Sequence, residues 1–182
     1  MDDKELVRLA QDGSVDAFET LVAKYQPKVF SMAMSFTRNR ETADDAAQEV
    51  FLKAYLALPK FHMKSEFGTW LYRIVSNLSI NQANQMRRHT GRHVRDLTPA
   101  DLVPAGDHES VGEHDVRGHI ERALHELPTL QRAVVLLRHF EGLSTRQVSG
   151  ILRCSEGTVK THLFRGLEKM RDKLQHLREE DQ

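Results

Sequence analysis

The chain predicts an all-α fold: two small helical domains joined by a flexible acidic linker, the C-terminal one a helix-turn-helix. Three observations lead there. Residues 143–166, "LSTRQVSGILRCSEGTVKTHLFRG", read as two short amphipathic helices joined by a tight turn. Before residue 90, apolar residues recur at three- and four-residue spacing in successive runs, the period of helices with one buried face. Between Thr90 and Asp115 that period disappears, and Gly91, Pro99, Pro104, Gly106 and Gly112 punctuate the chain. The expected organisation is therefore a domain over 1–89, a linker over 90–115 and a second domain over 116–182.

Taken in order, Ser14 is placed to cap a helix carrying Phe18, Leu21, Val22 and Tyr25 on one face. Pro27 is expected to bend or restart it before Val29, Phe30, Ala33 and Phe36. The next run, "RETADDAAQEVFLKAYLALP", sets Ala43, Ala46, Ala47, Val50 and Ala54 on a stripe of small residues that admits a close neighbour. Its opposite stripe is Asp45, Gln48, Glu49 and Leu52, which on spacing alone is either solvated surface or a partner-binding face.

In the third run, "FGTWLYRIVSNLSINQANQMRR", the stripe expected to be buried is Phe67, Leu71, Ile74, Val75 and Leu78. Trp70, Arg73, Asn77, Asn81, Asn84 and Arg88 gather on a different face. That row offers a stacking plate, base-edge donors and acceptors, and phosphate contacts, the inventory for binding exposed bases. The plainer reading is a polar face with Trp70 tucked into the core.

In the C-terminal part, Ser144 followed by Gln147 fits a capping box ahead of Val148, Ile151 and Leu152. Cys154 closes the turn and Ser155 is a second N-cap. After it, Val159, Leu163, Leu167, Met170 and Leu174 recur on one face, expected to be core. Gly157, Thr161, Phe164 and Arg165 point the other way with Lys160 on the flank. An aromatic ring and two cations where solvent is expected suit a helix that enters the DNA major groove. A solvated face with one stray Phe is the alternative.

Composition bounds the function. The 26 Lys and Arg balance 26 Asp and Glu, but the charges are segregated. Phe61 to Thr90 holds Lys64, Arg73, Arg87 and Arg88 against Glu66 alone, whereas residues 91–119 hold twice as many acids as arginines. Phosphate responds to that local field, not to the sum. No apolar run approaches the roughly 18 residues of a membrane span. The start, "MDDKELVRLA", lacks the layout of a signal peptide, so a cytoplasmic location is expected. The single cysteine, Cys154, excludes a disulfide within the chain. His89, His93, His108, His114 and His119 raise the question of metal, but Gly91 lies inside the one helical pair and no HExxH or paired-Cys motif exists. No metal, cofactor or catalytic residue is expected.

These stretches, in this order, resemble the extracytoplasmic-function sigma factors of the sigma-70 family, the promoter-recognition subunits of bacterial RNA polymerase. "DAAQEVFLKAY" is similar to that family's polymerase-binding helix and "FGTWLYRIVSN" to its promoter-melting helix. "ELPTLQRAVVLLRHFEGLSTRQVSGILRCSEGTVKTHLFRGLEKMRDKL" is similar to its helix-turn-helix domain. The family often has an Asp and an Arg where Asn81 and Asn84 stand.

The resemblance implies that Asp45, Gln48, Glu49 and Leu52 meet core polymerase, with its largest and second-largest subunits as partners. It implies minus-ten contacts from Lys60, Phe61, His62, Lys64, Trp70, Arg73, Asn77, Asn81, Arg87 and Arg88, with one base unstacked into the loop between Lys60 and Glu66. It implies minus-thirty-five contacts from Ser155, Thr158, Lys160, Thr161, His162, Phe164 and Arg165. The acidic linker then balances two basic surfaces, giving zero net charge. The first domain begins within the first fifteen residues with no acidic segment to cover these faces, so an anti-sigma protein and a stress-linked role are expected. A stand-alone regulator would not need the acidic row or the Trp70 row. A hydrolase would need a nucleophile and base that cannot be placed in one site.

Overall fold

The computed structural model describes residues 1–37, 39–89 and 113–179, except the side chains of 83, 84, 86–89, 113–115 and 176–179. Among the described residues there is no strand. The helices are α1 (Asp3–Gln11), α2 (Val15–Thr37), α3 (Arg40–Ala57), α4 (Phe67–His89), α5 (Glu113–Glu126), α6 (Thr129–Val135), α7 (Thr145–Leu152) and α8 (Glu156–Glu179). α5 opens at Glu113, inside the stretch expected as linker.

Side-chain caps set the starts of α2, α3, α7 and α8. The Ser14 hydroxyl accepts the Ala17 N–H at 3.3 Å, and the Asn39 side chain accepts the Thr42 N–H at 3.0 Å. α2 does not restart at Pro27: it runs unbroken to Thr37 with the proline inside. Pro27 and Ala23 are both exposed, so water can serve the carbonyl that the proline leaves unpaired. α1 was not foreseen as a separate helix. Leu6, Val7 and Ala10 are buried on it, and Asp3 accepts from both Lys24 (2.5 Å) and the Tyr25 hydroxyl (2.6 Å) on α2.

The alanine stripe of α3 behaves as its composition predicts. Ala43, Ala46, Ala47, Val50 and Ala54 are all buried, where they admit close neighbours. Gly68 does the same for α4: a Cβ there would lie 2.9 Å from Tyr25 Cε1. In the C-terminal half the buried stripe of α8 is rotated from the expected one. Val159 and Met170 are buried, but Leu167 is exposed. The turn centres instead on Gly166, where a Cβ would lie 2.7 Å from Val135 Cγ2, so α6 approaches there and leaves Leu167 at the rim.

The two halves pack against each other and share one core. α4 meets α7 and α6, and α2 meets α5. This buries a second side of α4 (Thr69, Tyr72) that carries no apolar period in the sequence, while Ser76 is buried against Met32 of α2. Glu141, which follows the π-helical turn Leu136–Phe140 that continues α6, accepts the Tyr72 hydroxyl at 2.5 Å and pairs with Lys28 at 3.3 Å. Burial, followed by the hydrogen bond to Glu141 and its charge, pushes the Tyr72 phenol far up, so it stays protonated and donates. Arg132 reaches from α6 to the Ser35 carbonyl at 2.9 Å and over the Phe36 ring at 5.5 Å.

Candidate functional site

The row on α3 is open. Asp45, Gln48 and Glu49 are exposed, and Leu52 is 59% exposed. Glu49 pairs with Lys53 at 2.7 Å, whereas Asp45 has no ion pair among the described residues. Leu56, four residues after Leu52, is 70% exposed on the same row, and Tyr55 is exposed beside it. Sequence reasoning missed both, although continuing the four-residue step from Leu52 finds Leu56. Acids around several solvent-facing apolar side chains make a surface suited to another protein's basic, partly apolar face.

On α4, Arg73, Asn77 and Asn81 are exposed in one row and Trp70 is half-buried beside them. Trp70 is neither free nor wholly core. One face of its indole stacks on Phe61, with ring centroids 4.6 Å apart and planes at 25°. Phe67 supports the same ring at 5.6 Å. Phe61 is thus buried as a backing for Trp70, while Lys60, His62 and Lys64 of the same loop are exposed. Arg73 also lies at the seam between the halves, its guanidinium 3.9 Å from where a Gly150 Cβ would stand on α7. The side chains of Asn84, Arg87 and Arg88 lie outside the described residues.

The helix-turn-helix forms as its caps dictate. The Ser144 hydroxyl accepts the Gln147 N–H at 3.2 Å, and the Gln147 side chain accepts the Ser144 N–H at 2.8 Å. α7 ends on Arg153 in the left-handed region (φ 54°), the Ser149 hydroxyl donates to the Cys154 carbonyl at 2.7 Å, and the Ser155 hydroxyl opens α8 by accepting the Thr158 N–H at 3.0 Å. Cys154 is half-buried and burial pushes its thiol up, as for a packed side chain.

On α8, Lys160, Thr161, Phe164 (68%) and Arg165 are exposed. His162 is half-buried with its Nδ1 buried and unpaired, and the Ser155 and Thr158 hydroxyls are 2.8 Å apart within the cap. Those three therefore sit closer to the helix-turn-helix frame than to its outer face. Among the described residues no group of three His, Cys, Asp or Glu side chains gathers to hold a metal. His93 and His108 lie outside them, as do the side chains of His89 and His114.

A helix-turn-helix at one end, and at the other an aromatic and amide row beside an acidic, apolar face, define the class: an all-helical DNA-binding protein that also docks on a protein partner. Residues 21–90 match the Sigma-70 region 2 family and residues 117–170 match the family of Sigma-70, region 4. The chain is 37% identical to the RNA polymerase sigma-H factor of Pseudomonas aeruginosa, over 96% of this chain and 95% of that one. It is 33% identical to the ECF RNA polymerase sigma-E factor of Escherichia coli, over the same shares. Against the ECF RNA polymerase sigma factor SigW of Bacillus subtilis it is 30% identical, over 96% and 97%.

The chain belongs to the sigma-70 family, in its extracytoplasmic-function (ECF) group. It is an RNA polymerase sigma factor, a promoter-recognition factor and not an enzyme. Two solved structures share its fold. CnrH in complex with the cytosolic domain of CnrY superposes with a TM-score of 0.71 at 24% identity, covering 96% of this chain and 97% of that one. The sigma factor RpoE in complex with the anti-sigma factor NepR, from Bartonella quintana, gives 0.68 at 22%, covering 88% and 98%. Among the described residues no helix is long and apolar enough to cross a membrane.

Proposed function

We propose that residues 1–89 bind core polymerase and the minus-ten element, that 90–115 connect, and that 116–182 bind the minus-thirty-five element. Asp45, Gln48, Glu49 and Leu52, extended by Leu56, form the polymerase-docking row. Trp70, Arg73, Asn77 and Asn81, with Lys60, His62 and Lys64, hold the opened minus-ten strand, and Phe61 keeps the indole in place. Arg87 and Arg88 add charge at the far end of α4. Lys160, Thr161, Phe164 and Arg165 read the duplex at minus-thirty-five, with Ser155, Thr158 and His162 at the frame. Strand opening is then a binding step: an unstacked base costs a few kcal/mol, which the Trp70 plate and the loop offset. The reaction proceeds in the cytoplasm, where polymerase is.

The observation that carries this reading is the accessible row on α4, with Trp70 clamped on Phe61 at one end and amides along the rest. The test is reconstitution: the purified chain added to core polymerase is expected to produce promoter-dependent transcripts from a library of the host's upstream regions. Transcripts no different from those of core polymerase alone would refute it. A narrower prediction concerns Arg165, exposed on α8. Arg165→Ala is expected to weaken binding to minus-thirty-five duplex by about 1–3 kcal/mol without lowering the melting temperature. A lower melting temperature with unchanged DNA binding would reverse the assignment of that face.

Geometry adds a requirement. α7 lies between α4 and α8, so at 8–10 Å per packed pair their axes stand within about 20 Å. The two promoter elements are about 25 base pairs apart, roughly 85 Å along the duplex at about 3.4 Å per step. Binding both therefore needs the halves to part, and the residues between α4 and α5, 90–112, would reach about 80 Å if fully extended. Paired dyes at the exposed Glu19 and Arg171 positions, outside the docking and DNA-binding rows, are expected to move apart when core polymerase is added; unchanged transfer would refute the opening.

An anti-sigma protein is the expected inhibitor, held against the α3 row. A pull-down from the unstressed host that recovers core polymerase and no stoichiometric small partner would refute it.

A further inference from the structure

Among the described residues two that are not glycine have a positive φ, Met63 and Arg153, and Arg153 (φ 54°, ψ 45°) stands in the turn that joins α7 to α8. We infer that Arg153 is a phosphate-binding residue of the helix-turn-helix, its guanidinium gripping the DNA backbone beside the groove that α8 enters. The inference rests on the minus-thirty-five reading above and adds a residue to which that reading gives no role.

The backbone of this turn is one that favours glycine. The Arg153 and Cys154 N–H groups both donate to the Ser149 carbonyl, the latter at 3.2 Å, and the Ser149 hydroxyl donates to the Cys154 carbonyl at 2.7 Å. Those bonds hold residue 153 in the left-handed region, where a Cβ crowds its own backbone and glycine sits without strain. The fold gains nothing from arginine in return. The residue is exposed, and among the described residues its guanidinium makes no hydrogen bond, ion pair or ring contact. Glu156, the nearest acid in sequence, leaves it unpaired. A strained position that carries a charged side chain the fold does not use points to a ligand outside the chain.

Position says which ligand. A helix with its side chains is about 10–12 Å across and the major groove about 12 Å wide, so α8 fills the groove it enters. Residues on the adjoining turn then stand against the groove's edge, and that edge is phosphate. Arg153 lies two residues before the Ser155 cap of α8, at most about 7 Å from it, whereas Lys160, Thr161, Phe164 and Arg165 lie further along the helix. The first helix of such a unit crosses the DNA backbone, and Arg153 is the cap of that helix. A planar guanidinium takes two phosphate oxygens through parallel donors and needs no particular base. Arg153 therefore fixes how α8 is seated and leaves the reading of sequence to the α8 face.

The experiment uses the full-length chain assembled with core polymerase and a fluorescein-labelled duplex carrying the minus-thirty-five region of a promoter it transcribes. Affinity is measured from about 50 to about 200 mM salt for the parent and for Arg153→Gly, Arg153→Lys, Arg165→Ala and Arg171→Ala. Arg171→Ala is the charge control, since Arg171 is exposed on α8 about 22 Å beyond Glu156 at about 1.5 Å per residue. Arg153→Gly is expected to weaken binding about fivefold at low salt and to reduce the slope of log K against log salt by about 0.9, the share of one duplex phosphate. The same variant is expected to keep or raise the melting temperature of the free chain, because glycine relieves the left-handed backbone. Arg153→Lys is expected to keep the parent slope. A loss for Arg153→Gly no greater than that for Arg171→Ala would reduce the residue to general charge and overturn the inference. A lowered melting temperature would make the arginine structural and overturn it as well. If Arg165→Ala weakens binding while Arg153→Gly equals the parent at every salt concentration, the Arg153 inference fails and the minus-thirty-five reading stands. If neither variant weakens binding, the minus-thirty-five reading itself fails.

Discussion

Glu49→Lys is expected to abolish association with core polymerase. The side chain stands on the open α3 row between Asp45 and Leu52, and its charge is shared only with Lys53 across a surface pair. In the free chain the substitution replaces that pair with two lysines four residues apart, a cost of only about 0.3–0.5 kcal/mol, so the fold survives. In the complex a cation meets the basic face that an acidic row selects. Like charges brought together at an interface cost several kcal/mol. At about 3 kcal/mol the dissociation constant rises more than a hundredfold. A titration of labelled full-length chain with core polymerase reads this directly, and duplex binding through α8 serves as the folding control. Affinity within twofold of the parent would reduce the α3 row to solvated surface.

Arg132→Met is expected to be the most destabilising single change at a polar side chain. Its guanidinium donates to the carbonyls of Leu124 and Leu127 at 2.9 Å each and to that of His125, all at the end of α5. It also reaches the Ser35 carbonyl at 2.9 Å in the other half. Methionine fills much of the volume and leaves these acceptors without their charged donor. Hydrogen bonds to charged groups contribute about 1.5–3 kcal/mol each, though not additively, so a total near 3 kcal/mol is expected. For a chain of this length that lowers the melting temperature by about 6–12 °C. Arg132→Lys is expected to rescue little, because an ammonium cannot span carbonyls on two sides as the planar fork does. A melting temperature within 2 °C of the parent would show that Arg132 does not join α5 to α2.

Much of this protein is legible in its residues because it depends on neighbours in sequence. The capping box of Ser144 and Gln147, the Ser155 cap, the alanine stripe of α3 and the outward Phe164 and Arg165 all follow from spacings of three and four residues. Those spacings act within one or two helical turns. The ordered resemblance to sigma-70 regions 2 and 4 was carried by the same segments, and so was the family. α1 escaped notice because Leu6, Val7 and Ala10 make too short a periodic run to stand out.

Other features depend on partners far along the chain. Tyr72 is buried where Glu141, 69 residues away, accepts its hydroxyl, and Thr69 is buried beside Gln147, 78 residues away, whose side-chain amide donates to its hydroxyl at 3.5 Å. Phe61 reads as a loop aromatic free to touch DNA, yet it lies beneath Trp70 because Gln11, 50 residues earlier, holds its carbonyl. Leu167 has core periodicity but is left at the rim, since the missing side chain of Gly166 draws α6 to the adjacent strip. Helical periodicity, caps and the order of the motifs were thus determined by the sequence alone. Which face of each helix is covered twice, and how the two halves close on each other, was decided by tertiary contacts, because burial of a face depends on what arrives against it and local spacing carries no record of that.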